Sequence, residues 1–392
     1  MKEFLEGSMA IARVVQLCKP GVISAYPITP QTHIVEELAQ MVADGHLASQ
    51  FVNVESEHSA ASVVLGASAT GVRAYTASSS QGLFYMAEVL FNIAGMRLPV
   101  VMTAAARAIS APINIWNDHQ DVVSLRDTGW VQFHAEDIQE AVDLHLIAYR
   151  LGEDKSMMLP VMVCMDGFIL THGIETMDMP TEEQVKKFLP DYKPLYKLDV
   201  EDPMTLGPLV DPDYYMEARY ALNHTHEEAL ELFPKIAAEF SKVFGRQYSL
   251  IEEYMTKDAE RVIVAMGSVC GTIKDVIDEL RAKGKKVGLL KIASYRPFPS
   301  QAIYDALKNV PKVAVIDRAL SLGSYAPLSA EIKAVFFGKT KKPEVISSFV
   351  VGLGGRDITR DSIKEVLRLL TAKEKQCEFI DLKPELLKES YE

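Results

Sequence analysis

The chain has 392 residues, 48% of them hydrophobic and 24% charged, and 53 acidic residues against 41 basic ones give a formal charge of −12. That length holds two or three domains with their own cores, and the acidic balance argues against a nucleic-acid binder or a protein held on an anionic membrane surface. No apolar run approaches the roughly 20 residues of a bilayer span, and Met1–Gly7 is acidic where a signal peptide is basic, so the expected compartment is cytoplasmic.

Ser8–Leu17 reads as a helix and Val22–Tyr26 as a strand. Gln31–Ala43 has helical spacing at Ile34, Val35, Leu38 and Met41, with Gly45 just past its end. Phe51–Val54 is a predicted strand, Glu57–Ala69 a helix of small residues and Arg73–Ala77 a strand. Gly82–Ile93 is again helical, and Pro99–Thr103 a buried strand. Alternation of this kind indicates βαβ units and a parallel sheet covered on both faces. Between Met177 and Arg246, Pro180, Pro190, Pro194, Pro203, Pro208 and Pro212 punctuate a polar stretch in which only Glu217–Phe244 looks helical, as in a connection that wraps the surface. A second α/β unit begins at Arg261, with strands at Val262–Met266, Lys286–Ile292, Val313–Ile316 and Val345–Val350. Its helices are expected near Ile273–Arg281 and Ile363–Leu370. The expected division is an α/β domain over 1–176, a proline-rich connection with a long helix over 177–258, and a C-terminal α/β domain over 259–392.

Ligands of open parallel sheets bind beyond the carboxyl ends of the strands, and four segments fall there. In Tyr26–Thr32 two prolines stiffen a turn, and Thr29 either caps the next helix or presents its hydroxyl to a ligand. Glu57 and Glu55 sit at a helix start, where the dipole favours a carboxylate by roughly 0.3–1 kcal/mol; His58 reads as a partly buried partner. Thr76–Gly82 is a hydroxyl-rich turn that suits either an anion or a plain helix cap. Arg107 follows an apolar strand, and its natural partner is a carboxylate, from a substrate or from within the protein. Asp118 and His119 read as a structural hydrogen-bonded pair.

No GxGxxG, phosphate loop or GxSxG elbow occurs at a position that would give it meaning. Gly352–Gly355 is a glycine-rich turn after the last strand, too late to begin a dinucleotide unit. Cys18, Cys164, Cys270 and Cys377 are far apart, a spacing that indicates neither a disulfide framework nor a chelate for zinc or an iron–sulfur cluster.

The stretches AYPITPQT (Ala25–Thr32), VESEHSAA (Val54–Ala61), SSSQG (Ser78–Gly82) and RAISAPINIWNDHQD (Arg107–Asp121) resemble alpha subunits of the pyruvate branch of the 2-oxoacid:ferredoxin oxidoreductase family. So do LPVMVCMDGFILTH (Leu159–His172), AMGS (Ala265–Ser268), YRPF (Tyr295–Phe298) and VGLGGRD (Val351–Asp357). In order, they cover nearly the whole chain.

This resemblance implies a thiamin-diphosphate pyrimidine-binding domain with a parallel sheet, followed by an α/β domain like the C-terminal one of transketolase. Glu57 would hydrogen-bond the aminopyrimidine ring, with Pro27 and Ile28 also at the cofactor, while Thr29 and Arg107 would hold the 2-oxoacid. The implied reaction is CoA-dependent oxidative decarboxylation of pyruvate to acetyl-CoA and carbon dioxide, with electrons passed to ferredoxin, in anaerobic metabolism. Asp166-Gly167 follows Met165, so the Gly-Asp-Gly segment that anchors diphosphate and magnesium is absent. The resemblance therefore assigns Mg2+ and the diphosphate to a beta subunit and the [4Fe-4S] clusters to partners, with gamma and delta (ferredoxin-like) subunits completing a hetero-oligomer. No metal site is expected in this chain. The alternatives are a sister enzyme for 2-oxoglutarate or branched-chain 2-oxoacids and, more distantly, a non-redox transketolase-like component.

Overall fold

The computed structural model describes residues 2–389, which divide into two units, Met1–Leu250 with Ala293–Pro299, and Ile251–Ile292 with Ser300–Glu392.

The first unit begins with β1 (Lys2–Glu6), α1 (Gly7–Cys18), β2 (Val22–Ser24), α2 (Thr32–Ala43), β3 (Gln50–Val52), α3 (Glu57–Ala69) and β4 (Ala74–Ser78). It continues through α4 (Ser80–Tyr85), α5 (Ala87–Gly95), β5 (Val101–Ala106), α6 (Gln120–Ser124), β6 (Val131–His134), α7 (Ile138–Gly152) and β7 (Val161–Asp166). β8 (Ile174–Asp178), α8 (Glu182–Phe188) and α9 (Pro212–Phe244) complete its main run. The sheet order is β6-β7-β5-β4-β2-β3, parallel throughout, and the strand Ser294–Arg296 adds antiparallel to the outside of β6. β4, β5, β6 and β7 are buried at every position. β5 and β7 accordingly run largely apolar without alternation, as strands covered on both faces do.

One helical layer contains α1, α2 and α7, joined by α8 and α9; the other contains α3, α4, α5 and α6. The first layer closes the core around Ile11, Ile34, Leu38, Phe133, Ile147 and Phe233. α9 is 33 residues long, started by Asp211, whose side chain accepts from the Asp213 N–H, and stopped by Gly245 in the left-handed region. Its buried stripe, Leu222, Thr225, Ala229, Phe233, Ile236 and Phe240, repeats every three or four residues. No helix among the described residues is long and apolar enough to cross a membrane.

Several elements differ from the sequence expectation. The strand expected to reach Tyr26 ends at Ser24, because Pro27 lacks a donor and restricts the residue before it. The single helix expected at Gly82–Ile93 is two, α4 and α5, which meet at the wholly buried Met86. β1 and β8 form an antiparallel ladder that pairs Leu5 with Glu175 and Glu6 with Ile174. No local pattern announces it, since its strands come from remote parts of the chain.

In the second unit the sheet order is Glu378–Phe379, Val345–Val350, Lys312–Asp317, Arg261–Ala265, Val287–Ile292, Ile251–Tyr254, with only the last strand antiparallel. Helices Val269–Ala282 and Arg360–Leu369 bury Ile273, Ile277, Ile363 and Val366 in the core of this sheet. Ser300–Leu307 and Pro327–Phe336 are further helices that the sequence reading left undescribed.

Candidate active site

β5, β4 and β2 are neighbours in the sheet, so the loops that leave their carboxyl ends are neighbours too. β2 continues to α2 in one helical layer and β4 to α4 in the other, which opens a crevice between the two exits. Three of the four segments singled out in the sequence lead out of these strand ends, and the fourth, at Glu57, packs against them.

Glu57 is the first residue of α3. Ser56 is the N-cap, its hydroxyl accepting the Ser59 N–H at 3.2 Å. The capping role considered for Glu57 is thus filled by its neighbour. Glu57 is 8% exposed, and no group among the described residues donates a hydrogen bond to its carboxyl. It lies against Gly82, where an added Cβ would come within 2.7 Å of Glu57 Cγ and Oε1 and within 2.6 Å of Ser78 Oγ. Only a residue without a side chain allows α4 to start this close to the acid.

The turn between β4 and α4 is strained. Ser80 has φ +51° although it is not glycine, a conformation that costs of order 1–3 kcal/mol unless its surroundings impose it. They do so here. The Ser80 N–H donates to Asp121 Oδ2 at 2.8 Å, and its hydroxyl donates to the Ala108 carbonyl at 2.5 Å. Gln81 Nε2 donates to Ser110 Oγ. Thr76, Ser78 and Ser79 are buried, and their hydroxyls have no partner within the described chain.

Arg107 leaves the end of β5 and is 5% exposed. Its Nη1 donates to the Thr29 carbonyl at 2.9 Å and its Nε to the Asn114 carbonyl at 3.0 Å. Among the described residues it forms no ion pair, so the internal salt bridge left open by the sequence is not made. Burial pulls its guanidinium below the usual arginine value and Asp121 opposes this; it keeps its charge.

Arg107 and Thr29 are therefore brought together, but through the backbone of Thr29. The Thr29 side chain is exposed. It does not cap α2, whose N-cap is Gln31 without a side-chain cap bond. Pro27 is exposed and Ile28 half-buried, in a loop held from behind by Gln31, whose Nε2 donates to the carbonyls of Tyr26 at 2.8 Å and Ala77 at 3.3 Å. At β7, Gly167 fits between the Ala106 carbonyl and Pro30, each within 2.7 Å of a Cβ placed there.

Asp121 has no special role in the sequence reading, yet it joins the parts. Wholly buried, it accepts the N–H groups of Ser80 (2.8 Å) and Arg107 (2.9 Å) on Oδ2 and that of Val122 (2.7 Å) on Oδ1. Burial drives its carboxyl up to about 8 against those donors. No local pattern could have found it, because two of its three partners come from other segments. Gly82 opens the helix expected from the sequence, a position that gives no separate sign of the close approach seen here.

The expected pairing of Asp118 with His119 is replaced. His119 Nε2 lies 2.7 Å from Asp166 Oδ1 at the end of β7, both groups 2% exposed, while Asp118 Oδ1 accepts the Gln120 N–H at 2.9 Å. Neighbouring residues in an irregular loop point apart, and the buried imidazole takes the acid that the adjacent strand delivers. Two cavities, of 370 Å³ beside Arg261 and 380 Å³ beside Arg219, include none of Glu57, Thr29 and Arg107.

A family profile described as pyruvate flavodoxin/ferredoxin oxidoreductase, thiamine diphosphate-binding, matches residues 13–237, and one described as pyruvate:ferredoxin oxidoreductase core domain II matches 259–363. The chain is 49% identical to pyruvate synthase subunit PorA of Methanothermobacter thermautotrophicus, across 97% of this chain and 98% of the relative. The PorA subunit of Thermotoga maritima is 47% identical over 92% of each chain. Ketoisovalerate oxidoreductase subunit VorA of Pyrococcus abyssi is 42% identical, over 93% and 92%. Among solved structures, 2-oxoglutarate:ferredoxin oxidoreductase from Magnetococcus marinus, with 2-oxoglutarate, coenzyme A and succinyl-CoA bound, superposes with a TM-score of 0.74. It shares 20% identity, and the match spans 94% of this chain and 65% of that one. A split-gene transketolase, an inactive beta4 tetramer, matches with a TM-score of 0.54 at 13% identity over 93% and 96%. Likenesses at these identities speak for the fold alone; the profiles and the PorA relatives speak for the family. The chain belongs to the pyruvate flavodoxin/ferredoxin oxidoreductase family, and it aligns over nearly its whole length with the subunits called PorA.

Proposed function

We propose that this chain supplies the pyrimidine-facing half of a thiamin diphosphate site in a multi-subunit pyruvate:ferredoxin oxidoreductase, with Glu57 as the acid that engages the cofactor. One observation carries the reading: Glu57 is almost buried and has no donor of its own. A carboxylate so largely screened by the protein gains from an arriving hydrogen-bond donor, and a ring nitrogen carrying a proton is such a donor. The bare backbone at Gly82 leaves the acid room to meet a flat ring, so the residues fit the group. When bound, thiamin diphosphate supplies a carbon nucleophile and an electron sink for breaking the bond to a 2-oxoacid carboxylate.

The chain's own part is positioning and charge. Arg107 keeps a cation at the crevice that no described acid pairs directly, which suits a substrate carboxylate. Its bond to the Thr29 carbonyl ties it to the Tyr26–Pro30 loop, where the exposed Thr29 would offer its hydroxyl to the same substrate, and Pro27 and Ile28 would form the adjacent wall toward the cofactor. Asp166 is tied to His119, which supports a beta subunit as the holder of the diphosphate and Mg2+. No cysteine is in a disulfide, and Cys18, Cys164 and Cys270 are buried in separate places, so the [4Fe-4S] clusters fall to gamma and delta (ferredoxin-like) partners that pass electrons to ferredoxin. The coenzyme A bound in the related 2-oxoglutarate:ferredoxin oxidoreductase supports coenzyme A as the second substrate.

The test is Glu57→Gln in the purified complex, followed by pyruvate- and CoA-dependent reduction of a low-potential dye. Turnover is expected to fall by roughly 10²–10⁴-fold, as for a lost acid–base group. Turnover near that of the wild type would remove Glu57 from the mechanism. Dye reduction that requires a branched-chain 2-oxoacid in place of pyruvate would move the assignment to the VorA branch.

A further inference from the structure

Glu6, His33 and His172 come from three separate segments, the end of β1, the first turn of α2 and the loop after β7. One ligand atom from each lies within 4.8 Å of the other two. From these positions we propose that the three side chains form a binding site for a divalent transition cation of the zinc type, independent of thiamin diphosphate and its magnesium.

The donors are two imidazoles and one carboxylate, a set that zinc and similar borderline cations prefer over magnesium or calcium. His33 Nδ1 is 2.7 Å from Glu6 Oε1. No lysine or arginine among the described residues pairs with Glu6, so its carboxylate is directed only toward the histidines. The Thr171 hydroxyl is 2.7 Å from His172 Nδ1, which leaves Nε2 as the nitrogen to coordinate. An outer partner on the second ring nitrogen is how metal-binding histidines are held in tautomer and orientation. The His172 ring lies between those of Phe168 and His33, each 4.7 Å away between centroids.

The backbone beneath is fixed. Glu6 is the last residue of the β1–β8 ladder, the Gly7 N–H donates to the Gly173 carbonyl at 2.9 Å, and the Ser8 hydroxyl donates to the Thr171 carbonyl at 2.8 Å. Two of the three ligands are thereby set before a cation arrives. The remaining gap would be closed by side-chain rotation, for which the exposed His33 (46%) and the half-buried Glu6 (26%) have room. Three protein ligands leave a fourth position for water.

The test is isothermal titration of the metal-stripped, tag-free full chain with Zn2+, paired with Co2+ absorption to report the ligand field. One equivalent is expected to bind, with a Co2+ spectrum of low coordination number. His172→Ala and His33→Ala should each abolish stoichiometric binding, and Thr171→Val should weaken it by roughly 10–100-fold, as for a lost outer partner. Circular dichroism of each variant shows that it is folded. Absence of a stoichiometric site in the wild type would overturn the proposal, and so would binding unchanged in the folded histidine variants, which would place the cation elsewhere. Because the readout is metal binding and not turnover, the result is independent of whether Glu57 acts as proposed.

Discussion

Both units carry a buried acid at the carboxyl edge of a parallel sheet, and the two acids are treated in opposite ways. In the second unit Asp317 ends its strand and accepts the N–H groups of Leu328 (2.7 Å) and Ser329 (3.1 Å) and the Ser329 hydroxyl (2.6 Å). It is the anchor of the helix Pro327–Phe336, and its hydrogen-bonding capacity is met from within. In the first unit Glu57 sits at an equally sheltered helix start, yet the capping bond goes to Ser56 and the carboxylate receives nothing. Burial alone therefore does not mark a functional acid. What separates the two is that Asp317 is fully engaged within its own unit, whereas Glu57 receives no donor from the described residues and stays available to a ligand.

Apart from Glu57→Gln, the largest expected break in this comparison is Gly82→Ala. The new methyl must displace the Glu57 carboxyl, and turnover should fall on the order of 10²-fold, as for a reacting group misplaced by about 1 Å. An alanine variant with full turnover would mean that the contact between Gly82 and Glu57 is incidental. Arg107→Ala should come next. Losing a hydrogen bond to a charged group, worth about 1.5–3 kcal/mol, should lower kcat/KM for pyruvate by roughly 10–100-fold through KM. Thiamin binding should stay unchanged; equal loss of both would make Arg107 structural.

On the other side of the comparison, Asp317→Asn should cost about 1–3 kcal/mol of stability by leaving buried donors unmet, with turnover of the folded fraction kept. A drop in turnover at unchanged denaturation midpoint would reverse the roles assigned to the two acids. The smallest effect concerns His134, which is wholly buried and held down to about 3, from 6.5, first by burial and then by His119. The folded imidazole refuses the proton that the unfolded one takes, so its contribution to stability is complete above pH 6.5 and is lost as the pH falls toward 3. His134→Phe should flatten that part of the pH–stability curve, and an identical slope in the variant would show that other groups set it.

Much of the scaffold was legible because it is periodic. The apolar runs at Arg73–Ala77 and Pro99–Thr103 and the 3.6-residue stripe of α2 appear where the spacing predicts them, the first and last within a residue at each end and the second shifted by two to three residues. Strands made by pairing remote segments were not legible. β1 with β8 and Ser294–Arg296 beside β6 are stabilised by partners far along the chain, and neither run differs locally from a loop.

The sequence by itself determined which residue types stand at the strand ends. Glu57, Thr29 and Arg107 were identifiable from their ordered stretches, because a strand followed by a helix leaves its connecting loop at the carboxyl edge whatever the partners. Only the tertiary structure decided what each group does with its hydrogen bonds. Thr29 gives Arg107 its carbonyl, His119 turns from Asp118 to Asp166, and Asp121 gathers Ser80 and Arg107. The physical reason is that a buried polar group must find a donor or acceptor within about 3 Å, and in a parallel sheet the atoms at that distance belong to the next strand's loop.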